Sequence, residues 1–528
     1  MIATVLITWL GCSAFEPKQE TTLPPVSKAT PSKTCGDRSQ QPDVLLLSID
    51  TLRADHLGYA GYEKARTPHL DALAARGHIF RQAITPVPRT TPALGSLLTG
   101  LSPHHHGARE VGEVMTATDT LPARLQAQGW QTIGISAIKV AGPEQNLDLG
   151  FDSFDVLHDA PADKLTAQAL MRVQDTSREC PLLLWIHYAD PHFPYLPPTR
   201  WKDQPTAERC RALGKKASEG KLARYRLFEN RNGMAESVLE ECTALYDAEI
   251  AFTDHAVGLL FDGLNAMGRN NPLITFTADH GENLGEWGLY FEHGPNGHDA
   301  SLRVPLVMAG PGISPGESHG AAQTEDVAPT ILTMLQPDAK VGHMDGKSLI
   351  NQMKGSSTNA SARAESGSPL HARMAGYLVS GRRHRLHCID GPRFALCKQP
   401  KADPKLYDRR LDPDLRNNVI DDHKAEADIL QEAWKNWPVE RTRQRMVRSS
   451  RFSLVATPQL KGHYTTALYD HIADPMMLQN VMDKHPVEGA AMEAELLAWH
   501  TELNAAHAPV QERTLKQEEA LRALGYIE

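Results

Sequence analysis

Four apolar runs, each ending in polar residues, set the rhythm of the first half of the chain. Residues 43–49, Asp-Val-Leu-Leu-Leu-Ser-Ile, are nearly unbroken in their apolar character, the pattern of a strand buried on both faces of a parallel sheet, and Asp50 follows at the carboxyl end. Residues 132–136 predict a second strand. A third, 181–186, runs into His187-Tyr188-Ala189-Asp190-Pro191-His192, and a fourth, 272–277, delivers Asp279-His280-Gly281-Glu282. Between them the apolar period lengthens to that of helices. Thr67 as N-cap and Pro68 at the first position open one that Gly77 closes. Residues 121–129 form another, and 239–264 carry Leu245, Phe252, Ala256, Leu259 and Leu260 at helical spacing. Strands alternating with helices through residue 335 predict a doubly wound α/β domain with a largely parallel sheet, whose ligands bind at the carboxyl edge of the strands.

The pattern changes at two places. Residues 199–235 are polar, basic and aperiodic, which predicts a loop insertion over or beside the site. Near Gly355 the alternation stops. Residues 356–369 are rich in Ser, Ala and Gly and read as a linker between a catalytic domain, 42–355, and a C-terminal α+β part, 370–528. In that last part Leu406-Tyr407-Asp408 with Asp412-Pro413 is echoed by Leu468-Tyr469-Asp470 with Asp474-Pro475. Each follows a β-like segment, so a small antiparallel sheet is expected, with helix over 488–524.

One helix start carries chemistry. Pro88-Arg89-Thr90-Thr91-Pro92 leads into an apolar run closed by Gly100, which places a Thr hydroxyl beside backbone N–H groups and the positive end of a helix dipole. Such a hydroxyl is either an N-cap or, with a metal or base beside it, a nucleophile. His104-His105-His106 suggest metal at first sight, but consecutive side chains on a turn diverge, and a structural role is expected.

Composition narrows the rest. The chain has 528 residues, 41% hydrophobic and 23% charged, with a formal net charge of −9, so nothing draws it generally to nucleic acid. Arg-rich pieces at 382–385 and 441–451 read as solvated faces or strand edges. Residues 1–12 are apolar, uncharged and too short to span a bilayer, and Leu10-Gly11-Cys12 resembles a bacterial lipoprotein cleavage site. Residues 1–41 are therefore expected to be an export signal and polar tether, with the protein periplasmic or in the cell envelope and Cys12 the position for a lipid anchor. Six cysteines remain after Cys12, an even number that suits an oxidising compartment. Cys388 and Cys397 flank a turn, Cys210 and Cys242 bracket the insertion, and Cys35 and Cys180 each precede an apolar strand; these three pairs or six buried thiols both satisfy the sequence.

Strand ends thus present Asp50, then His187, Asp190 and His192, then Asp279 and His280, while a helix start presents Thr90. Asp50, Thr90, Asp279 and His280 make a coherent shell for one divalent cation, with Zn²⁺ or Mn²⁺ favoured by the imidazole and Ca²⁺ the remaining choice. Several stretches carry a family resemblance: Asp50-Thr51-Leu52-Arg53-Ala54-Asp55-His56-Leu57-Gly58, Ser96-Leu97-Leu98-Thr99-Gly100, Asp190-Pro191-His192-Phe193-Pro194-Tyr195, Asp279-His280-Gly281-Glu282, Arg303-Val304-Pro305-Leu306, Asp326-Val327-Ala328-Pro329-Thr330 and Leu521-Arg522-Ala523-Leu524-Gly525-Tyr526. In this set and order they resemble the sulfatase family of the alkaline phosphatase superfamily.

The resemblance implies a metal-dependent ester hydrolase, and it also marks a departure. Sulfatases carry Cys-x-Pro-x-Arg at the helix start, and the Cys becomes the formylglycine that attacks sulfate. Here Thr90 stands at that Cys and Leu94 at that Arg, so no formylglycine is expected and Thr90 becomes the nucleophile. Related branches with Thr nucleophiles include the phosphoethanolamine transferases, whose catalytic motif is similar to 279–286 followed by His293. A His at 293 suits protonating a leaving group, and with Thr90 and His192 it completes the candidate catalytic set. The expected function is an exported hydrolase of phosphate or sulfate esters on a small molecule, glycan or lipid. The alternatives are a phosphoethanolamine-type transferase and a degenerate sulfatase that only binds its ligand.

Overall fold

The structure is a computed structural model that describes residues 35–505, apart from 39–40, 199–205, 219–233, 287–288, 295–296, 338–341 and several stretches between 356 and 463. The stretch read as an export signal, with Cys12, most of the stretch read as a tether and residues 506–528 lie outside the described residues.

Eight strands form the central sheet: β1 (Val44–Ile49), β2 (His78–Ile84), β3 (Gln131–Ser136), β4 (Ser153–Val156), β5 (Leu182–Tyr188), β6 (Leu273–Ala278), β7 (Leu306–Ala309) and β8 (Gly316–Gln323). Their spatial order is β8-β2-β7-β6-β1-β5-β3-β4. Only β7 runs antiparallel to its neighbours, so the sheet is the largely parallel one the apolar runs predict. Every residue of β1, β5 and β6 is buried, as strands covered by helices on both faces require. Each buried Leu contributes roughly 1.5–3 kcal/mol relative to exposure. The alternation did not reveal β2, β4, β7 or β8, which are short, mixed in polarity or near the sheet edge.

The principal helices are α1 (Pro68–Arg76), α2 (Thr90–Thr99), α3 (Ala162–Gln174), α4 (Glu208–Ser218) and α5 (Glu236–Ala266). Thr67 sits at the N-cap of α1, but its hydroxyl accepts from Gly58 N–H and donates to Asp71 rather than capping α1. The insertion 199–235 is not all loop: it contains α4, whose apolar residues are few but which the Cys210–Cys242 disulfide fastens to α5. A second disulfide joins Cys35 to Cys180 just ahead of β1 and β5.

Beyond residue 355 two four-stranded antiparallel sheets form, one of them from Ala362–Glu365, Arg445–Arg448, Phe452–Pro458 and Tyr464–Asp470. The stretch read as a linker, 356–369, thus holds a strand, because the small Ala362 and Ala364 fit under Ile84 and Leu302 of the catalytic part. The other sheet joins Arg373–Val379, Arg382–Asp390, Phe394–Lys398 and Lys405–Asp408, and its register sets Cys388 opposite Cys397. The echoed Leu-Tyr-Asp segments each close the last strand of one sheet. Leu406 N–H donates to Asn418 and its carbonyl accepts from Val419 N–H, while Leu468 makes the same pair of bonds with Asn480 and Val481. The echo is therefore a repeated strand-and-loop unit. The expected C-terminal helix runs Pro486–Ala505 within the described residues.

Buried charge ties the first sheet to the catalytic part. Arg448, fully buried, forks onto Asp299 and donates to Gln82, and Glu365 meets His104, Arg109 and Arg443. The three consecutive histidines do diverge: His104 faces Glu365, His105 faces Asp345, and His106 packs under α2 against the Pro92 carbonyl.

Candidate active site

Because β1 lies between β5 and β6, their carboxyl ends converge. Asp50, His187 and Asp279 each offer a ligand atom within 4.8 Å of the others, and all three are buried. Burial, then the charges of Asp279 and Glu282, push the Asp50 carboxyl up, and burial pushes Asp279 up as well. Both Asp50 oxygens, Asp279 Oδ2 and His187 Nε2 are buried without a hydrogen-bond partner. Buried polar atoms are normally satisfied, so four orphans converging on one point fit a cation.

His280 completes this wall. Its Nδ1–H donates to the Gly281 carbonyl at 3.0 Å, which leaves Nε2 facing Asp279 Oδ2 at 3.3 Å, Thr90 Oγ1 at 3.4 Å and Asp50 Oδ1 at 3.8 Å. Ligands of a tetrahedral Zn²⁺ with bonds near 2.0–2.1 Å stand roughly 3.3 Å apart, so the residues present fit such an ion. Burial and the neighbouring His293 hold the His280 imidazole well below its ordinary pKa, hence neutral and able to ligate. Thr51, next to Asp50, holds φ at 56°, a costly left-handed conformation for a β-branched residue, and its N–H donates to Asp279 Oδ1 at 3.2 Å.

Thr90 and Thr91 are adjacent and differ completely. Thr90 is the first residue of α2, with its hydroxyl toward His280 and Asp279. The Thr91 hydroxyl is consumed, donating to the Val140 carbonyl at 2.8 Å and accepting from Gly112 N–H at 2.9 Å. Arg89, at the N-cap, donates to the His293 carbonyl at 2.8 Å and lies against Gly294, where a Cβ would come within 2.2 Å of its guanidinium carbon. Leu94, read from the sequence as standing at the sulfatase Arg, is buried in the core.

His293 Nδ1–H donates to Glu282 Oε1 at 3.2 Å, and the Tyr195 hydroxyl donates to Glu282 Oε2 at 3.3 Å. The half-buried His192 meets the His293 ring edge-on at 5.4 Å. The loop carrying His192 is pinned at both ends, by Asp190 accepting from Ala162 N–H and by Glu249 accepting from Leu196 N–H. All six residues singled out from the sequence, Asp50, Thr90, His192, Asp279, His280 and His293, thus occupy one site. The sequence reading assigned no role to Glu282, Arg89 or His187. Glu282 stands in the quoted Asp279 motif and His187 at a strand end, but their partners lie far along the chain.

The sulfatase family pattern matches residues 42–337, more than half of the chain, and the chain belongs to the sulfatase family. It is 26% identical over 431 residues to an ulvan-active sulfatase of Formosa agariphila, covering 75% of this chain and 80% of that protein. It is 25% identical over 373 residues to a choline-sulfatase of Rhizobium meliloti, covering 60% and 72%. The phosphonate monoester hydrolase of Agrobacterium radiobacter shares the fold with a TM-score of 0.60, at 19% identity over 88% of this chain and 96% of that one.

Proposed function

We propose that this protein is a metal-dependent hydrolase in which Thr90, in place of formylglycine, attacks the phosphorus or sulfur of an ester. The observation that carries the reading is the Thr90 hydroxyl 3.4 Å from His280 Nε2, at a helix start beside both oxygens of Asp50 and Oδ2 of Asp279, buried without hydrogen-bond partners. A divalent cation held by Asp50, Asp279 and His280 would lower the pKa of the Thr90 hydroxyl and draw charge from the ester oxygens. The rest falls to the chain. The N–H groups of the first turn of α2 have no intrahelical acceptors and face an anion favourably. Thr90 gives up its hydroxyl proton to solvent; as its Oγ1 bonds to phosphorus or sulfur and the bond to the leaving oxygen breaks, His293, as the imidazolium with Nδ1–H committed to Glu282, donates its Nε2 proton to that oxygen. His192 lines the same side.

The ester left on Thr90 sits on a carbon with no second oxygen, so release requires water to attack phosphorus or sulfur itself. That favours phosphate or phosphonate esters over sulfates, whereas the two relatives named above are sulfatases. The deciding experiment is a chromogenic panel of phosphate monoesters, phosphate diesters, phosphonates and an aryl sulfate, with and without Zn²⁺, Mn²⁺ or Ca²⁺ and with an acceptor alcohol to reveal transfer. Silence on every substrate by the metal-loaded protein sinks the enzyme reading in favour of ligand binding. An exported location accompanies this proposal. It is supported by two disulfides, which persist in oxidising compartments, and is tested by cell fractionation of the native and Cys12→Ser proteins.

A further inference from the structure

We propose that His187 is a ligand of the same cation, reaching it from the floor of the site through Nε2 and oriented by Ser48 and Trp185. The inference rests on the metal site argued above and adds a ligand to it. In the parallel register Ser48 pairs with His187, and Asp50 continues the Ser48 face two residues on, so His187 stands one row beneath the carboxylates.

The proton positions follow from the partners. His187 Nδ1 lies 3.0 Å from Ser48 Oγ, and the ring also bonds the Ser48 backbone. A carbonyl only accepts, so Nδ1 carries the hydrogen. Ser48 Oγ accepts a second N–H from Trp185 Nε1 at 2.9 Å and directs its own proton to the Ile186 carbonyl at 3.4 Å. The Trp185 and His187 rings lie nearly parallel, 24° apart. Nδ1 is thereby fixed as donor, and Nε2 presents a lone pair.

That nitrogen is buried and has no partner, and the imidazole offers a ligand atom within 4.8 Å of oxygens of both Asp50 and Asp279. Most buried polar atoms are satisfied; what sets this nitrogen apart is that its orphaned neighbours are the carboxylate oxygens of Asp50 and Asp279. A ligating histidine whose other nitrogen donates to a fixed acceptor is the usual second-sphere arrangement.

The test uses the full chain loaded with Zn²⁺ or Co²⁺ alone, reading metal affinity by chelator competition and imidazole count by X-ray absorption at the metal edge. Imidazole scattering is expected to survive in His280→Gln, because His187 remains bound. His187→Gln is expected to lose one imidazole and at least 10-fold in affinity, and Ser48→Ala, which frees the ring, about 10-fold. Metal bound to His280→Gln with no imidazole, or His187→Gln with native affinity and count, overturns the assignment even if other variants misfold. Asp279→Ala separates the two levels: if it keeps its metal, the site itself is wrong, whereas loss there with no effect at His187 removes this ligand only.

Discussion

The imidazole of His293 stacks on that of His280 with ring centroids 4.2 Å apart. A backbone bond at Nδ1 turns His280 Nε2 toward Asp50, Thr90 and Asp279, while Glu282 holds Nδ1 of His293, the ring that donates the proton in the proposed mechanism.

This geometry predicts a dependence on leaving group. His293→Ala should lose roughly 10²–10⁴-fold in turnover of alkyl esters, whose alkoxides need a proton, and far less with nitrophenyl esters, which leave without one. Glu282→Gln keeps the shape but weakens the hold on Nδ1, so it should show the same ranking with smaller losses. Equal losses on both substrate types would remove His293 from the proton-transfer role.

The disulfides give a prediction independent of activity. Thiol counting under denaturing, non-reducing conditions should find no more than two free thiols among the six cysteines after Cys12, because Cys35–Cys180 and Cys210–Cys242 account for four. Cys35→Ser should cost roughly 4–5 kcal/mol, the chain entropy of so long a loop, and Cys210→Ser less. Six free thiols would remove both crosslinks and the compartment argument with them.

What was legible in the sequence was what repeats locally. The runs at β1, β5 and β6 announced buried parallel strands, and parallel strands put Asp50 and Asp279 on one edge whatever the loop lengths. Thr90 was singled out by its place at the Cys of the Cys-x-Pro-x-Arg pattern, two residues before Pro92. The strand Ala362–Glu365 hid because its four residues look like a linker until Arg445–Arg448 pairs with them 80 positions on. Glu282, Arg89 and His187 hid for a related reason: their partners are His293, the Gly294 turn and Ser48, and no local pattern states such a meeting.

Three histidines away from the metal wall should make the fold acid-labile. Burial lowers His106 and His471 to about 3 and His298 to about 4. Below about 6.5 the unfolded chain takes up these protons and the folded chain does not, so each histidine subtracts stability as pH falls from 6.5 toward its folded pKa. Asp254 and Asp326, raised by burial to about 6, act in the opposite direction between about 6 and 4. A single-site comparison isolates the effect. His106→Gln should flatten the fall of the urea-unfolding free energy by about 1.4 kcal/mol per pH unit between pH 6 and 4. An unchanged slope would mean that His106 titrates normally in the folded state.

The sharpest test lies in two adjacent threonines. The Thr90 hydroxyl faces His280 Nε2, while the Thr91 hydroxyl is locked between Val140 and Gly112. If Thr90 is the nucleophile, Thr90→Ala should lose about 10³-fold or more in turnover, because covalent catalysis and an oxygen at the metal wall vanish together. Thr90→Ser should keep measurable activity, since the hydroxyl survives. Thr91→Ala should do the reverse. It strands a buried N–H and a carbonyl, costing about 1–3 kcal/mol of stability for each unsatisfied group, while turnover of the folded fraction stays near native. Brief exposure to a phosphate ester followed by acid quench should place the transferred group on the peptide spanning Thr90, and fragmentation should assign it to that residue. An adduct on Thr91, or native turnover in Thr90→Ala, would leave Thr90 with only its position at the helix start. The polar wall around it would then need a water as its nucleophile.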